Sequence, residues 1–371
     1  MNDNQGRSGW RRSVRRWSVR RWSVRRRFAV ATASGLTLAL AACGTSAGDG
    51  PKDVVAAMQS RKAAAQAGTV QSAGGAATPA AAVACSPGPD ASYPPLSALP
   101  AAGSPPAGSF AAKVKARGQF VVGVSGDTRL LGYRDALDGG SLKGFDIELA
   151  KAVGRAIFGV DGKVQFRVIT GGQRFSMVNK GVTGDLESSG VDMVARAVST
   201  TCDRWANDDP TKSALFSASY FISAQRLLVR KDGKVSSIDK LPQGSKVCAP
   251  TGSTSLATLA KYPNVTPVVA EIHSDCLALW QEGRVDAITG DDAILAGFAV
   301  QDPHAAVVGG SLDTTHYAFA IGKGHQDFVR FVNSVMTGPE FRSTWTAAYG
   351  RYLLAPLDAQ AQPAPNYSRT P

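Results

Sequence analysis

The chain has no G-x-S-x-G elbow, no H-E-x-x-H pair and no P-loop, and its four histidines, His273, His304, His316 and His325, are scattered rather than clustered with cysteine. Those absences remove the nucleophilic, zinc-dependent and nucleotide-driven chemistries that a sequence usually declares. Charge of one sign is also scarce in the body of the protein. The formal charge is +12, but residues 1–42 hold ten arginines and one aspartate, and from Cys43 onward 31 basic residues face 28 acidic ones. A nearly neutral body offers no phosphate-binding surface, which excludes a nucleic-acid role. Cysteine is sparse, five in 371 residues, while the 44% hydrophobic content is ordinary for a soluble protein with one or two cores.

What is present begins at the start of the chain. A basic block, Arg11 to Phe28, precedes an apolar run of about fifteen residues that ends in small residues, the layout of a secretory signal. The run is too short for a membrane span. Its end, Leu40-Ala41-Ala42-Cys43, looks like a lipobox, in which the cysteine receives a diacylglycerol and becomes the new N-terminus. The arginine pairs leave the export route open between the general and the twin-arginine pathways. A protein anchored outside the cytoplasm lives where disulfides persist. Cys85, Cys202, Cys248 and Cys276 remain, with three possible pairings.

Residues 43–109 are dominated by Ala, Gly, Ser and Pro, with one short helical pattern at 53–66, and 355–371 are similar in character. Such compositions bury little apolar area, so the expectation is a disordered tether and a disordered tail. Between them, strand patterns (Gly118–Ser125, Val164–Thr170, Val191–Val198, Ala224–Lys231, Lys246–Thr251, Val285–Gly290) alternate with helical ones (Gly144–Gly159, Ser255–Tyr262, Ser274–Gly283). Alternation of this kind predicts α/β architecture with parallel sheets, and two such series predict two lobes.

GFDIELAKAVGRAI, Gly144 to Ile157, is amphipathic: Ile147, Ala150, Val153 and Ile157 share one face, while Glu148, Lys151 and Arg155 share the other. It fits a signature of the family 3 extracellular solute-binding proteins, the polar amino-acid receptors of ABC importers. The resemblance runs through 110–354 in order: Ser199-Thr200-Thr201-Cys202-Asp203-Arg204, FSASY at 216–220, LLVRKD at 227–232, APTGSTS at 249–255, EGRVDAITGDD at 282–292 and HYAFAIGKG at 316–324. In particular the chain resembles the lipid-anchored glutamate/glutamine-binding receptors of high-GC Gram-positive bacteria. The resemblance implies a two-lobed periplasmic-binding-protein fold of type II, joined by two crossing hinge strands near 216–220 and 315–319. Lobe 1 would be 110–219 plus 317–354, and lobe 2 would be 220–316. It also implies a monomer without a cofactor that delivers an amino acid to an ABC permease. With the lobes so assigned, a bond from Cys202 to Cys248 or Cys276 would oppose the hinge, so the implied pairing is Cys85–Cys202 and Cys248–Cys276.

Carried over residue by residue, the resemblance makes Arg204 the partner of the ligand α-carboxylate, a contact that suits a planar fork of donors. Ser199 matches a hydroxyl donor, and the backbone of Ala197 matches a carbonyl that meets the ammonium. In lobe 2, Asp291 matches the carboxylate that takes the ammonium, and Thr254, at the start of a helix, a donor to the carboxylate. Arg174 matches the arginine that acidic-ligand receptors use for the distal carboxylate, while Arg196 and Arg129 are further cations expected at the cleft. A buried arginine without a partner costs on the order of 3–5 kcal/mol, so glutamate and aspartate are favoured, with their amides tolerated. Gly181–Ser189 and Asn207–Ser213 look like insertions, and Ser125 stands where relatives carry a charged or ordering side chain. The alternatives are a sensor that reports to a membrane signalling partner, and a dehydratase, since a few enzymes share this fold.

Overall fold

The computed structural model describes residues 85–182 and 190–370. The signal, the lipobox with Cys43 and most of the insertion expected at 181–189 lie outside those residues.

In chain order, the helix α1 (Phe110–Arg117) leads into β1 (Phe120–Val124), a hairpin-like set β2 (Asp127–Thr128), β3 (Gly132–Asp135) and β4 (Ser141–Lys143), then α2 (Phe145–Phe158) and β5 (Val164–Val168). The first series continues with α3 (Arg174–Val182), β6 (Met193–Ala195), α4 (Cys202–Ala206) and β7 (Leu215–Phe216). A second series holds β8 (Phe221–Arg230), β9 (Ser245–Pro250), α5 (Thr254–Leu259), β10 (Val265–Ala270), α6 (His273–Gln281), β11 (Ala287–Asp291), α7 (Asp292–Gln301) and β12 (Ala305–Tyr317). After β12 come β13 (Ala320–Ile321), α8 (Gln326–Thr337), α9 (Pro339–Tyr352) and the single turn α10 (Leu354–Leu357).

These strands make two five-stranded sheets, ordered β5-β1-β6-β13-β7 and β10-β9-β11-β8-β12, and a small three-stranded one, β2-β3-β4. Each of the two larger sheets has the same plan: parallel pairs on one side (β1 with β5 and β6, β9 with β10 and β11) and antiparallel pairs on the other. Parallel strands are covered on both faces and so read as continuous apolar runs; all five residues of FVVGV in β1 are buried. The chain crosses from the first sheet to the second after β7 and returns after β12. The two crossings lie side by side, with Tyr220 N–H donating to Tyr317 O at 2.8 Å and Ser217 N–H to Phe319 O at 3.0 Å. Disulfides join Cys85 to Cys202 and Cys248 to Cys276, the latter bridging β9 and α6.

Two expectations need correction. Residues 85–109 and 355–370, read from composition as disordered, lie against the first lobe: Ser92 Oγ donates to Phe216 O (2.8 Å), Asn333 Nδ2 to Tyr93 O (2.7 Å), and Gln362 Nε2 to Met336 O (3.1 Å). A segment too polar for a core of its own can still dock on a neighbour's. Prolines 87, 89, 94 and 95 fix part of its backbone in advance, which lowers the entropy lost on ordering.

Candidate functional site

The ends of β1, β6, β9 and β11 face one cleft between the sheets, as expected where strand ends meet a topological switch. Arg174, Arg196, Ala197, Ser199 and Arg204 line it from the first lobe, and Thr254 and Asp291 from the second. Arg129 does not. Its guanidinium lies 4.4 Å from the centre of the Tyr133 ring, and it borders a separate groove, because the loop after β1 folds back as the β2–β3 pair.

The segment after β6 builds most of the first-lobe wall. Thr201 caps α4 by accepting the Arg204 N–H at 3.1 Å, which places Arg204 inside the first turn. The buried guanidinium donates from Nη1 to Ser199 O (2.6 Å) and from Nη2 across the cleft to Gly252 O (3.0 Å). Burial lowers its pKa to about 10 despite the pull of Asp291. Arg174 opens α3, bonded to Gly171 O (2.7 Å) and to the same Gly252 O (3.3 Å). Burial and then the neighbouring Arg204 and Arg196 hold it well below the usual arginine range. Among the described residues neither Arg174 nor Arg204 has a carboxylate within 4.0 Å, so both are bonded only to neutral carbonyls. Arg196 differs: Nε donates to Ile169 O (2.9 Å), and Nη2 lies 3.9 Å from Asp127 Oδ1.

Asp146 lines the same cleft and was missed by sequence reasoning. Gly144 takes a φ of 129°, and a Cβ there would sit 2.2 Å from Leu131 O, so only glycine fits. Phe145 then enters the core, and the buried Asp146 accepts the Ala197 N–H (2.8 Å) and the Tyr220 hydroxyl (2.9 Å). This bond holds Ala197 at a φ of 44°, a left-handed conformation that costs an L-residue about 1–3 kcal/mol. The Gly-Phe-Asp of the helix signature thus fixes the turn that carries the chain from β6 to Ser199. Burial raises the Asp146 pKa to about 6.

On the facing wall Asp291 ends β11, buried, accepting the Tyr317 hydroxyl (2.6 Å) and the Thr315 hydroxyl (3.3 Å). Burial pushes its pKa up to about 6. Its neighbour Asp292 opens α7 and accepts the Ala293 N–H at 2.8 Å. The Thr254 hydroxyl stands 3.4 Å from that of Ser199, across the cleft. His273 also lines this wall; its Nε2 is buried without a partner among the described residues, and burial and then Arg196 push its pKa down to about 3, so it is neutral. Ser274 closes a further bridge, donating to Asp127 Oδ2 at 2.6 Å. Residues 207–213 lie away from the cleft, where Asn179 Nδ2 donates to Pro210 O and Ser213 O.

Residues 120–355, more than half of the chain, match the model of the bacterial extracellular solute-binding proteins, family 3. The chain belongs to that family. Among similar relatives of this solute-binding protein, the ABC transporter glutamine-binding protein GlnH of Bacillus subtilis is 29% identical over 65% of this chain and 84% of its own. A glutamine-binding protein of Geobacillus stearothermophilus is 31% identical over 59% and 78%. The solute receptor for L-cysteine of Neisseria gonorrhoeae superposes with a TM-score of 0.58 at 25% identity, covering 66% of this chain and 94% of its own. An ancestral amino acid-binding protein, a precursor of cyclohexadienyl dehydratase, gives 0.56 at 25% identity over 66% and 99%.

Proposed function

We propose that this solute-binding protein is an extracytoplasmic receptor, lipid-anchored through Cys43, that closes on a polar amino acid and delivers it to an ABC permease. Glutamate and aspartate are the favoured ligands, with glutamine and asparagine accepted more weakly. One observation carries the reading: two buried guanidiniums without carboxylate partners among the described residues face a buried carboxylate across a gap wider than an ion pair. A free amino acid fills such a gap with its own charges, the α-carboxylate to Arg204 and the ammonium to Asp291. Removing those charges from water is tolerable only when each meets a partner. Arg174 is then left for a distal carboxylate, and an amide would leave its charge unmet. The names of the curated relatives, binding proteins for glutamine and for glutamate, support this class of ligand.

A thermal-shift screen of the purified protein across the twenty amino acids tests it, because a ligand bound only by the folded form raises the melting temperature. The largest shifts are expected with L-glutamate and L-aspartate. Shifts confined to basic amino acids would sink the assignment. Mass spectrometry of the mature N-terminus tests the anchor: a diacylglyceryl Cys43 is expected, and an unmodified N-terminus upstream of it would remove that part.

A further inference from the structure

α4 is five residues long, and a helix of that length has no stability of its own. The position of Arg204 therefore depends on what packs against α4. On the inner side Trp205 meets Phe216 edge-on, with ring centres 5.1 Å apart. On the outer side the contacts come from the two segments that composition marks as tether and tail. Cys85 is bonded to Cys202, the Pro89 carbonyl accepts the Trp205 indole N–H at 2.9 Å, and the Arg369 guanidinium lies 3.8 Å from the centre of the Trp205 ring.

The two segments are also knitted to each other. Ser92 N–H donates to Asn366 O at 2.8 Å, Arg369 N–H returns a bond to Ser92 O at 3.1 Å, and Asn366 Nδ2 reaches Asp90 Oδ2 at 2.9 Å. Asn333 of α8 fastens the pair from below through Ser92 Oγ at 2.9 Å. The outer face of α4 is thus clamped by segments that precede and follow the two lobes, covalently at Cys202 and through an aromatic ring at Trp205.

We infer that residues 85–93 and 366–369 form a strap that presets the Arg204 guanidinium, with Arg369 as its chief positioning residue. An arginine side chain loses much rotamer freedom when a ligand fixes it, and holding it in place beforehand recovers affinity. This rests on the proposed role of Arg204 with the α-carboxylate, the group that all amino acids share. Arg174 belongs to α3 and is bonded to Gly171 and Gly252, outside the strap. The strap therefore acts on every amino-acid ligand equally and not on side-chain choice.

The test compares wild type, Arg369→Ala, Arg369→Lys, Tyr93→Ala and Arg204→Ala by calorimetry with L-glutamate and L-glutamine, alongside amide exchange at Trp205 and Asn207. Arg369→Ala is expected to weaken both ligands by the same factor, about tenfold, to speed exchange in α4 while β1 stays protected, and to be largely rescued by lysine, which keeps a cation over the ring. Tyr93→Ala, which removes an edge contact 6.1 Å from Trp205, should give a smaller loss of the same kind. Wild-type affinity and exchange in Arg369→Ala, with Arg204→Ala inactive, would overturn the strap alone. Intact binding in Arg204→Ala would instead overturn the role given to Arg204, and the strap with it.

Discussion

Three guanidiniums and the buried carboxyl of Asp146 line the first-lobe wall of the cleft, whereas the second-lobe wall holds one buried carboxyl, Asp291, a neutral imidazole and hydroxyls, with Glu271 exposed at its rim. Their neutral partners differ as well. The arginines rest on backbone carbonyls, and Asp291 rests on the hydroxyls of Tyr317 and Thr315. Each wall is therefore hydrogen-bonded with an excess of one charge, positive on the first, where Asp127 and Asp146 offset only part of it, and negative on the second. On the proposed reading such a pair of walls gains most from a molecule that is itself a dipole, and it would orient that molecule with its carboxylate to the first lobe and its ammonium to the second. It also ties closure to binding, since a ligand that contacts both walls favours the state in which they are near.

The largest break of this asymmetry is Arg204→Ala. It removes the donor fork for the α-carboxylate, and binding of all amino acids should fall about 100-fold or more, as calorimetry would show. Asp291→Asn is next, with an expected loss of roughly tenfold or more from an unmet ammonium. Here stability should move the other way at neutral pH. The Asp291 carboxyl has a folded pKa of about 6, above its unfolded value near 3.8, so its charge is a cost to the folded state that grows as pH rises between those values. Asparagine removes that cost, and the unliganded variant should melt higher than wild type at pH 7. Asp146, also raised to about 6, adds to the same trend. Between pH 4 and 6 these two groups make the unliganded protein less stable as pH rises. Affinity should change in the opposite sense, falling roughly tenfold from pH 7 to pH 5 as Asp291 takes a proton. An affinity flat over that range would break the assignment of Asp291 to the ammonium.

How much of this asymmetry could be read in the residues alone depended on range. Arg204, Ser199 and Asp291 each sit inside a contiguous stretch that carries the family resemblance, 199–204 and 282–292, so the resemblance could assign them to the cleft from short-range sequence. Asp146 was hidden because helical periodicity sorts residues into core and water, and a carboxylate in a first turn that bonds a distant backbone N–H belongs to neither class. A carboxylate two residues after a glycine that starts a helix was the available signal. Arg129 was misplaced for the reverse reason: a loop after the first strand is expected at the cleft, but its fold into β2 and β3 turned the side chain onto Tyr133. The docked ends of the chain were illegible because composition reports whether a segment can build a core, not whether it can lie on one.

Within the cationic wall the three arginines should separate by what already neutralises them. Arg174→Ala is expected to weaken L-glutamate about tenfold more than L-glutamine, since only the acid has a second carboxylate to lose. Equal losses in calorimetry would deny Arg174 a side-chain role. Arg196 stands near Asp127, so its charge is partly met within the protein.

Asp127 is also the point at which the first lobe meets Ser274 of the second, and this bond contains no ligand atom. It stabilises closure whatever is bound. Ser274→Ala leaves Asp127 its contacts with Ser125 and Arg196, so no buried charge is stranded and the fold should be undisturbed. The expected effect is the smallest of the series: a loss of about threefold to tenfold, equal for L-glutamate and L-glutamine, carried by faster dissociation. Stopped-flow kinetics separates the cases. A loss that differed between the two ligands would mean that Ser274 touches the side chain, and the boundary between closure and recognition would then run through α6 and not outside it.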